Sequence, residues 1–221
     1  MPYMEIHPHE REILDAGGTI IGIDEVGRGP LAGPICAAAC LITQDNLDHI
    51  LERNTSLYPI NDSKKLTHLQ RERSAVWIKE YLSVEFITVE ADEIDAKGIQ
   101  SANRKVLQEA LEQTLPFFTT ENTVVFIDHF PLEKPKTISR MISVPRADAT
   151  YLSVACASIY AKAMRDKIMQ ELSNQHPQYG WDTNAGYGTK KHQEALKEHG
   201  ATAYHRKSFL TKMQSSYSKE A

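Results

Sequence analysis

Two apolar runs, residues 19–23 and 35–42, are separated by a stretch holding Gly27, Gly29, Pro30, Gly33 and Pro34. Apolar and β-branched residues favour extended backbone while glycine and proline interrupt it, so the pattern predicts two strands joined by a wide turn. Asp24 and Glu25 stand where the first run meets that turn. Neighbouring side chains of a regular strand point to opposite faces, so the pair can share a cation only where the strand ends or bends. Gly27 and Gly29 supply a bend.

The rest of the chain alternates helical and extended patterns, as an α/β fold does. Residues 66–82 carry Leu69, Val76, Trp77 and Leu82 among charges, which predicts an amphipathic helix, and 84–89 follow as a strand. Residues 99–115 keep the helical period through Ala102, Val106, Leu107, Ala110 and Leu111, with Pro116 just past the end. Residues 123–127 are almost wholly apolar, as in a strand covered on both faces, and they end at Asp128. A strand pair is expected over 137–144, a long small-residue helix over 151–175, and a last helix over 189–199 with Gly200 at its C-cap. His7-Pro8-His9 reads as a mobile terminus. A chain of 221 residues without a low-complexity linker suits one domain. The expected division is an N-terminal segment 1–18, an α/β catalytic domain 19–175 and a helical extension 176–221.

Composition excludes several classes. The longest apolar stretch, around residues 35–42, is far too short to span a bilayer, and the first twelve residues are polar rather than basic-then-apolar, so a cytoplasmic protein is expected. Cys36, Cys40 and Cys156 have neither even number nor metal-ligand spacing and read as buried thiols. A Ser/His/Asp hydrolase lacks its Gly-x-Ser-x-Gly elbow, and His192 and His205 are expected to cap or bond locally. The formal net charge of −4 argues against a phosphate-binding surface. Its distribution is uneven, however: residues 162–221 hold ten Lys or Arg against six Asp or Glu. That separation suits a carboxylate-rich metal centre beside a basic surface, and equally an enzyme with scattered solvated charge.

Asp24, Glu25, Asp128 and Asp148 each sit where an apolar segment meets a turn or a helix start. Clustered carboxylates repel one another unless a cation compensates, and an oxygen-only donor set selects hard ions, magnesium or manganese rather than zinc. Any one of these acids taken alone is equally a cap or an ion-pair partner, Asp148 most clearly, three residues before a helix. Four together favour the metal.

The run Gly22-Ile23-Asp24-Glu25-Val26-Gly27-Arg28-Gly29-Pro30-Leu31-Ala32-Gly33-Pro34 closely resembles the signature of ribonuclease HII. Further segments match in the same order: Asn61-Asp62-Ser63-Lys64-Lys65-Leu66, the strand ending in Asp128, Ala147-Asp148, and Ala155-Cys156-Ala157-Ser158-Ile159-Tyr160-Ala161-Lys162 with Arg165-Asp166. Near the end come Gly186-Tyr187-Gly188-Thr189-Lys190-Lys191-His192 and His205-Arg206-Lys207-Ser208-Phe209. Ribonuclease HIII shares the acidic pair but usually has a Gly-Lys-Gly turn, so Arg28 favours type HII.

The resemblance implies a ribonuclease H-like fold, a mixed central sheet flanked by helices, in which Asp24, Glu25, Asp128 and Asp148 hold two Mn2+ or Mg2+ ions. It implies hydrolysis of the RNA strand of RNA·DNA hybrids, and cleavage 5′ of single ribonucleotides in duplex DNA that leaves a 3′-hydroxyl and a 5′-phosphate. The Gly27-Arg28-Gly29 turn would read the 2′-hydroxyl, with Tyr187 stacked on the neighbouring deoxyribose. Lys64, Lys65, Lys162, Arg165, Lys190 and Arg206 are candidate phosphate contacts. A monomer is expected, and residues 212–221 show no clear sliding-clamp motif. Two readings compete: another nuclease of the same fold, such as a ribonuclease HIII or a resolvase, and a non-catalytic nucleic-acid-binding module.

Overall fold

The first two strands form the expected antiparallel pair: β1 (Thr19–Val26) runs against β2 (Ile35–Ile42), from Ile20 opposite Ile42 to Val26 opposite Cys36. The computed structural model describes residues 4–53, 58–117, 122–128 and 130–211. β3 (Ser83–Val89) extends the sheet antiparallel beside β2, while β4 (Thr123–Asp128) and β5 (Arg140–Val144) add parallel strands beyond β1. The result is a mixed five-stranded sheet in the order β3-β2-β1-β4-β5.

Alternation along β1 and β4 sorts their side chains between two cores. Ile20, Val124 and Phe126 pack on one face with Leu152, Ala155 and Ile159 of α6 (Leu152–Gln175); α3 (His68–Tyr81) packs against that helix. Ile21, Ile23, Val125 and Ile127 pack on the other with Val106, Leu107 and Leu111 of α5 (Ile99–Thr114). The run 123–127 is apolar throughout because both faces of β4 are covered. A third cluster joins Met169 and Leu172 of α6 to Trp181 on α7 (Trp181–Asn184), Tyr179, and Ala195 on α8 (Lys190–His199).

Gly22 sets how closely α6 can lie against β1. A side-chain carbon there would sit 2.1 Å from the backbone carbon of Ser153, so only glycine lets the strand and the first turn of the helix touch backbone to backbone.

Several expectations need correction. Residues 7–9 do not form a mobile terminus: His7 caps α1 (Pro8–Asp15) in a reciprocal capping box with Glu10, whose carboxylate is buried. The helix over 66–82 exists as α3, but Leu69 and Val76 are exposed and the buried face is Ser74, Ala75, Trp77 and Ile78. The strand pair over 137–144 is the single strand β5, because Ser139 is held by the Thr123 carbonyl and eight residues are too few for two strands and a turn. Helices α2 (Gln44–Arg53) and α4 (Ala91–Lys97) were not expected from periodicity. The three thiols are buried, and burial pushes the Cys36 thiol up to about 12, consistent with inert packing groups.

Candidate active site

Alternation places Asp24 on the α6 face of β1 and Glu25 on the α5 face. The two side chains nevertheless line one cavity of about 280 Å3, together with Asp128 and Asp148. Termination of a ladder makes this possible. The β1–β4 pairing ends at Ile23 opposite Ile127, so beyond that point the strands no longer close the gap between them. The carboxyl end of parallel strands in an open α/β sheet is where such crevices form. Asp148 comes from a short 3-10 turn, Ala147–Ala149, just ahead of α6.

The charges in this cavity interact. Burial pushes the Asp24 carboxyl well above the ordinary carboxylate range, and the neighbouring Glu25 and Asp148 push it the same way, against a hydrogen bond from Ser158. Glu25 is raised by burial and by Asp128, with Arg28 acting in the opposite sense. Protein donors offset part of this charge. Lys64 Nζ lies 3.1 Å from Asp148 Oδ2, Arg28 Nη1 lies 3.4 Å from Glu25 Oε1, and the Arg146 N–H donates to Asp128 Oδ1 at 2.7 Å.

Four carboxylates around one cavity, two of them with raised proton affinity, fit a hard divalent cation by donor chemistry. Among the described residues no three acidic, histidine or cysteine side chains yet converge closely enough to form a metal-binding group. Glu25, Asp128 and Asp148 are instead turned to the cationic and N–H donors just named, and Asp24 to the Ser158 hydroxyl. Burial, Glu25 and Asp148 all disfavour the charged form of Asp24, which is the clearest local demand for positive charge.

The turn from Gly27 to Pro34 is held from below by two buried guanidinium groups. Arg206 donates to the carbonyls of Gly27, Arg28 and Gly33, and Arg165 to those of Ala32, Pro34 and Ala185. Both were candidate phosphate contacts, and that assignment is corrected: they are 1% exposed or less, with their donors directed at these carbonyls. Burial lowers the pKa of each, that of Arg206 to about 10 with Arg165 contributing. Carbonyl dipoles rather than carboxylates solvate the pair, and the buried carbonyls of an irregular loop are thereby satisfied.

The same arrangement brings in the Tyr187 loop. Leu31 and Ala32 donate their N–H groups to the Gly186 carbonyl, and a side-chain carbon on Gly29 would lie 3.4 Å from Tyr187 Cε1. Tyr187 is 49% exposed and lines the carboxylate cavity. Beneath it, His192 Nδ1 donates to the Tyr187 carbonyl while its Nε2 accepts from Trp181 Nε1, with His205 Nε2 also 3.1 Å from that atom. His205 Nδ1 in turn accepts from the Thr202 N–H. The two histidines bond locally, and burial lowers the pKa of both, that of His205 to about 4.

Of the remaining basic candidates, Lys64 and Lys162 line the cavity, Lys162 paired with Asp166. Lys65 reaches toward Asp62 and Lys190 toward Glu194; neither lines the cavity. Sequence reasoning did not select Ser63, Ser158 or Arg71. Ser63 and Ser158 share a hydrogen bond of 2.9 Å at the cavity wall, and both lie in segments already matched to the family. Arg71 carries no such signal, being one charge among several on α3; its guanidinium holds the Ser63 and Leu66 carbonyls. A larger cavity, about 600 Å3, opens beyond Arg71 and Lys162, which line both.

The sheet order, the flanking helices and the carboxylates at the strand ends define a ribonuclease H-like fold, the fold of solved relatives. Ribonuclease H2 from Pyrococcus horikoshii OT3 superposes with a TM-score of 0.69 at 23% identity, covering 86% of this chain and 93% of that one. RNase HII from Archaeoglobus fulgidus, solved in a complex with PCNA, gives 0.67 at 24% identity, covering 87% and 94%. Bst-RNase HIII, solved with Mn2+, gives 0.64 at 20% identity, covering 83% and 63%. At these identities the likeness establishes the fold alone.

Sequence likeness goes further. The family model for ribonuclease HII matches residues 21–212. The ribonuclease HII of Cereibacter sphaeroides is 42% identical over 203 residues, 91% of this chain and 89% of that protein. That of Clostridium perfringens is 43% identical over 192 residues, 86% of this chain and 66% of that protein. The chain belongs to the ribonuclease HII family and is a ribonuclease H endonuclease, of a metal-dependent kind, that acts on nucleic acid. The reading as a non-catalytic binding module is set aside.

Proposed function

We propose that this enzyme cuts the RNA strand of RNA·DNA hybrids, and duplex DNA 5′ of an embedded ribonucleotide, leaving a 3′-hydroxyl and a 5′-phosphate. One observation carries the reading: Tyr187, packed beside Gly29, lines the same cavity as Asp24, Glu25, Asp128 and Asp148. A residue suited to lie against a sugar and a turn suited to meet a 2′-hydroxyl stand next to the acids that would do the chemistry.

Asp24, Glu25, Asp128 and Asp148 would hold two divalent ions, Mn2+ or Mg2+, which when bound supply positive charge to polarise the scissile phosphate and stabilise the leaving oxygen. The protein's part is positional. Arg206 and Arg165 bind the carbonyl groups of the Gly27-Arg28-Gly29 segment and its continuation from within, so that the turn keeps one shape when substrate arrives. His192 and Gly186 fix the backbone on either side of Tyr187. Lys64 and Lys162, at the cavity wall, are the basic residues best placed to meet phosphate. The cavity beyond Arg71 and Lys162 offers a path for the strand past the site, with Lys167 along it. Lys65 and Lys190 would act farther out, on the exposed surface.

We assign catalysis to residues 19–175 and a contribution to substrate binding to the extension 176–221, the enzyme working in the cytoplasm as a monomer. No helix among the described residues is long and apolar enough to cross a membrane. The archaeal relative was solved with PCNA; residues 212–221, where a clamp motif was sought in this sequence, lie outside the described residues, and the proposal includes no clamp.

The test compares a DNA duplex carrying one ribonucleotide, an RNA·DNA hybrid and an all-DNA duplex, each with Mg2+ or Mn2+ and again with chelator. Cutting of the first two alone, abolished by chelation, is the expected result. Equal cutting of all three would overturn the ribonucleotide-directed reading.

A further inference from the structure

Glu10 lies in the segment ahead of the sheet, 138 positions before Asp148 and outside every motif that marks the family. Its carboxylate is nevertheless 1% exposed. Oε2 accepts the N–H of Leu152 and Oε1 that of Ser153, both at 2.9 Å, and these are the first two residues of α6. Oε2 also accepts the N–H of His7, closing the capping box of α1. Among the described residues, no basic side chain forms an ion pair with Glu10. Its charge is held by N–H donors and by the positive end of a helix of 24 residues.

The turn that Glu10 grips is also the turn that meets β1. Ser153 lies against Gly22, two positions before Asp24. The 3-10 turn bearing Asp148 leads directly into α6, and the Tyr151 N–H donates back to the Ala147 carbonyl. One helical turn farther on, Ser158 bonds Ser63 and faces Asp24. The start of α6 is therefore wedged between Gly22 on one side and Glu10 on the other, and the separation of Asp24 from Asp148 depends on where that wedge sits.

We propose that Glu10 is a positioning residue for the metal centre: by clamping the first turn of α6 against β1 it sets the spacing of Asp24 and Asp148, and hence the affinity of the pair for a divalent cation. The proposal rests on the reading of those two acids as metal ligands. It assigns to α1 a role in the reaction rather than in stability alone.

The test is titration of Mn2+ into Glu10→Gln and wild-type protein by calorimetry, followed by steady-state kinetics on the ribonucleotide-containing duplex. Expected are a loss of Mn2+ affinity of about tenfold, the low end of what groups that orient ligands without binding the ion contribute, a matching fall in kcat at Mn2+ below saturation, and an unchanged KM for the duplex. Glu10→Asp, which keeps the charge on a shorter arm, should recover part of the loss and serves if the glutamine variant does not fold. Leu14→Ala is the control, since it weakens the packing of α1 without touching the carboxylate; it should lower the melting temperature and leave Mn2+ affinity unchanged. Unchanged Mn2+ affinity in both Glu10 variants, or an equal loss in Leu14→Ala, would overturn the proposal. Asp148→Asn separates the two layers: if it too leaves Mn2+ affinity intact, the ligand assignment is what fails.

Discussion

The Arg206 guanidinium donates to the Gly27 carbonyl at 2.7 Å across 179 positions of sequence, and the same group reaches the carbonyls of Arg28 and Gly33. The turn at the heart of the family signature is thus shaped by a cation from the far end of the chain. Arg206→Ala should lower unfolding stability by roughly 2–4 kcal/mol, since several buried carbonyls lose a charged donor at once. Arg206→Lys should recover little, because a lysine cannot span three carbonyls with one nitrogen. Urea titration of both variants checks this, and a change below about 0.5 kcal/mol in Arg206→Ala would mean that the bonds contribute little.

Gly22→Ala should cost about 1–3 kcal/mol or more, because the new carbon overlaps backbone rather than a side chain that can swing away. If the purified variant melts with wild type, β1 and α6 have more room between them than the structure gives.

Asp24→Asn should lower turnover at least about a thousandfold while raising the melting temperature of the metal-free protein. Burial and the neighbouring Glu25 and Asp148 penalise the charged form of Asp24, and the amide removes that penalty. Scanning calorimetry in chelator, paired with a cleavage assay, separates the two effects. Wild-type turnover would remove Asp24 from the site.

For Tyr187→Ala the expected pattern is a loss of about a hundredfold at a single ribonucleotide and a smaller loss on a long hybrid, as when a positioning contact is removed. Side-by-side kcat/KM values decide it. Equal losses on both substrates would reduce Tyr187 to a structural role.

His205 gives the pH dependence its sign. Its folded pKa, about 4, lies below the ordinary histidine value because burial, His192 and His176 all disfavour the charged ring. Between about pH 6.5 and 4 the unfolded chain therefore binds more protons than the folded one, so stability is full above that window and falls as the pH drops through it. His192, lowered by burial, acts in the same direction. Denaturant titrations at pH 7 and pH 5 should show the loss, and it should shrink in His205→Gln. A pH-independent midpoint would contradict the buried neutral pair.

The strands β1, β2 and β4 and the helices α5 and α6 were legible because their signals are local: a run of apolar residues, a period, a proline past an end. The same holds for the family, whose marks are contiguous motifs, and for the four acids, each at the end of an apolar segment. Helix α4 escaped because seven residues hold too little of a period, and α2 was missed although Leu47, Ile50 and Leu51 keep the helical spacing; Leu69 and Val76 misled because α3 turns Ser74, Ala75, Trp77 and Ile78 inward instead.

Sequence alone determined the α/β class and the family, and singled out the four carboxylates that line one cavity. Tertiary structure alone decided what Asp24 and Glu25 do with their opposite faces, since the answer depends on the β1–β4 ladder ending at Ile23. It also decided that Arg165 and Arg206 point inward and that Glu10 is buried. A cation goes to phosphate or to carbonyls according to which is nearer in space, and the side-chain hydrogen-bond partners of these three residues lie more than a hundred positions away, apart from the Ala185 carbonyl bound by Arg165 and the His7 N–H bound by Glu10.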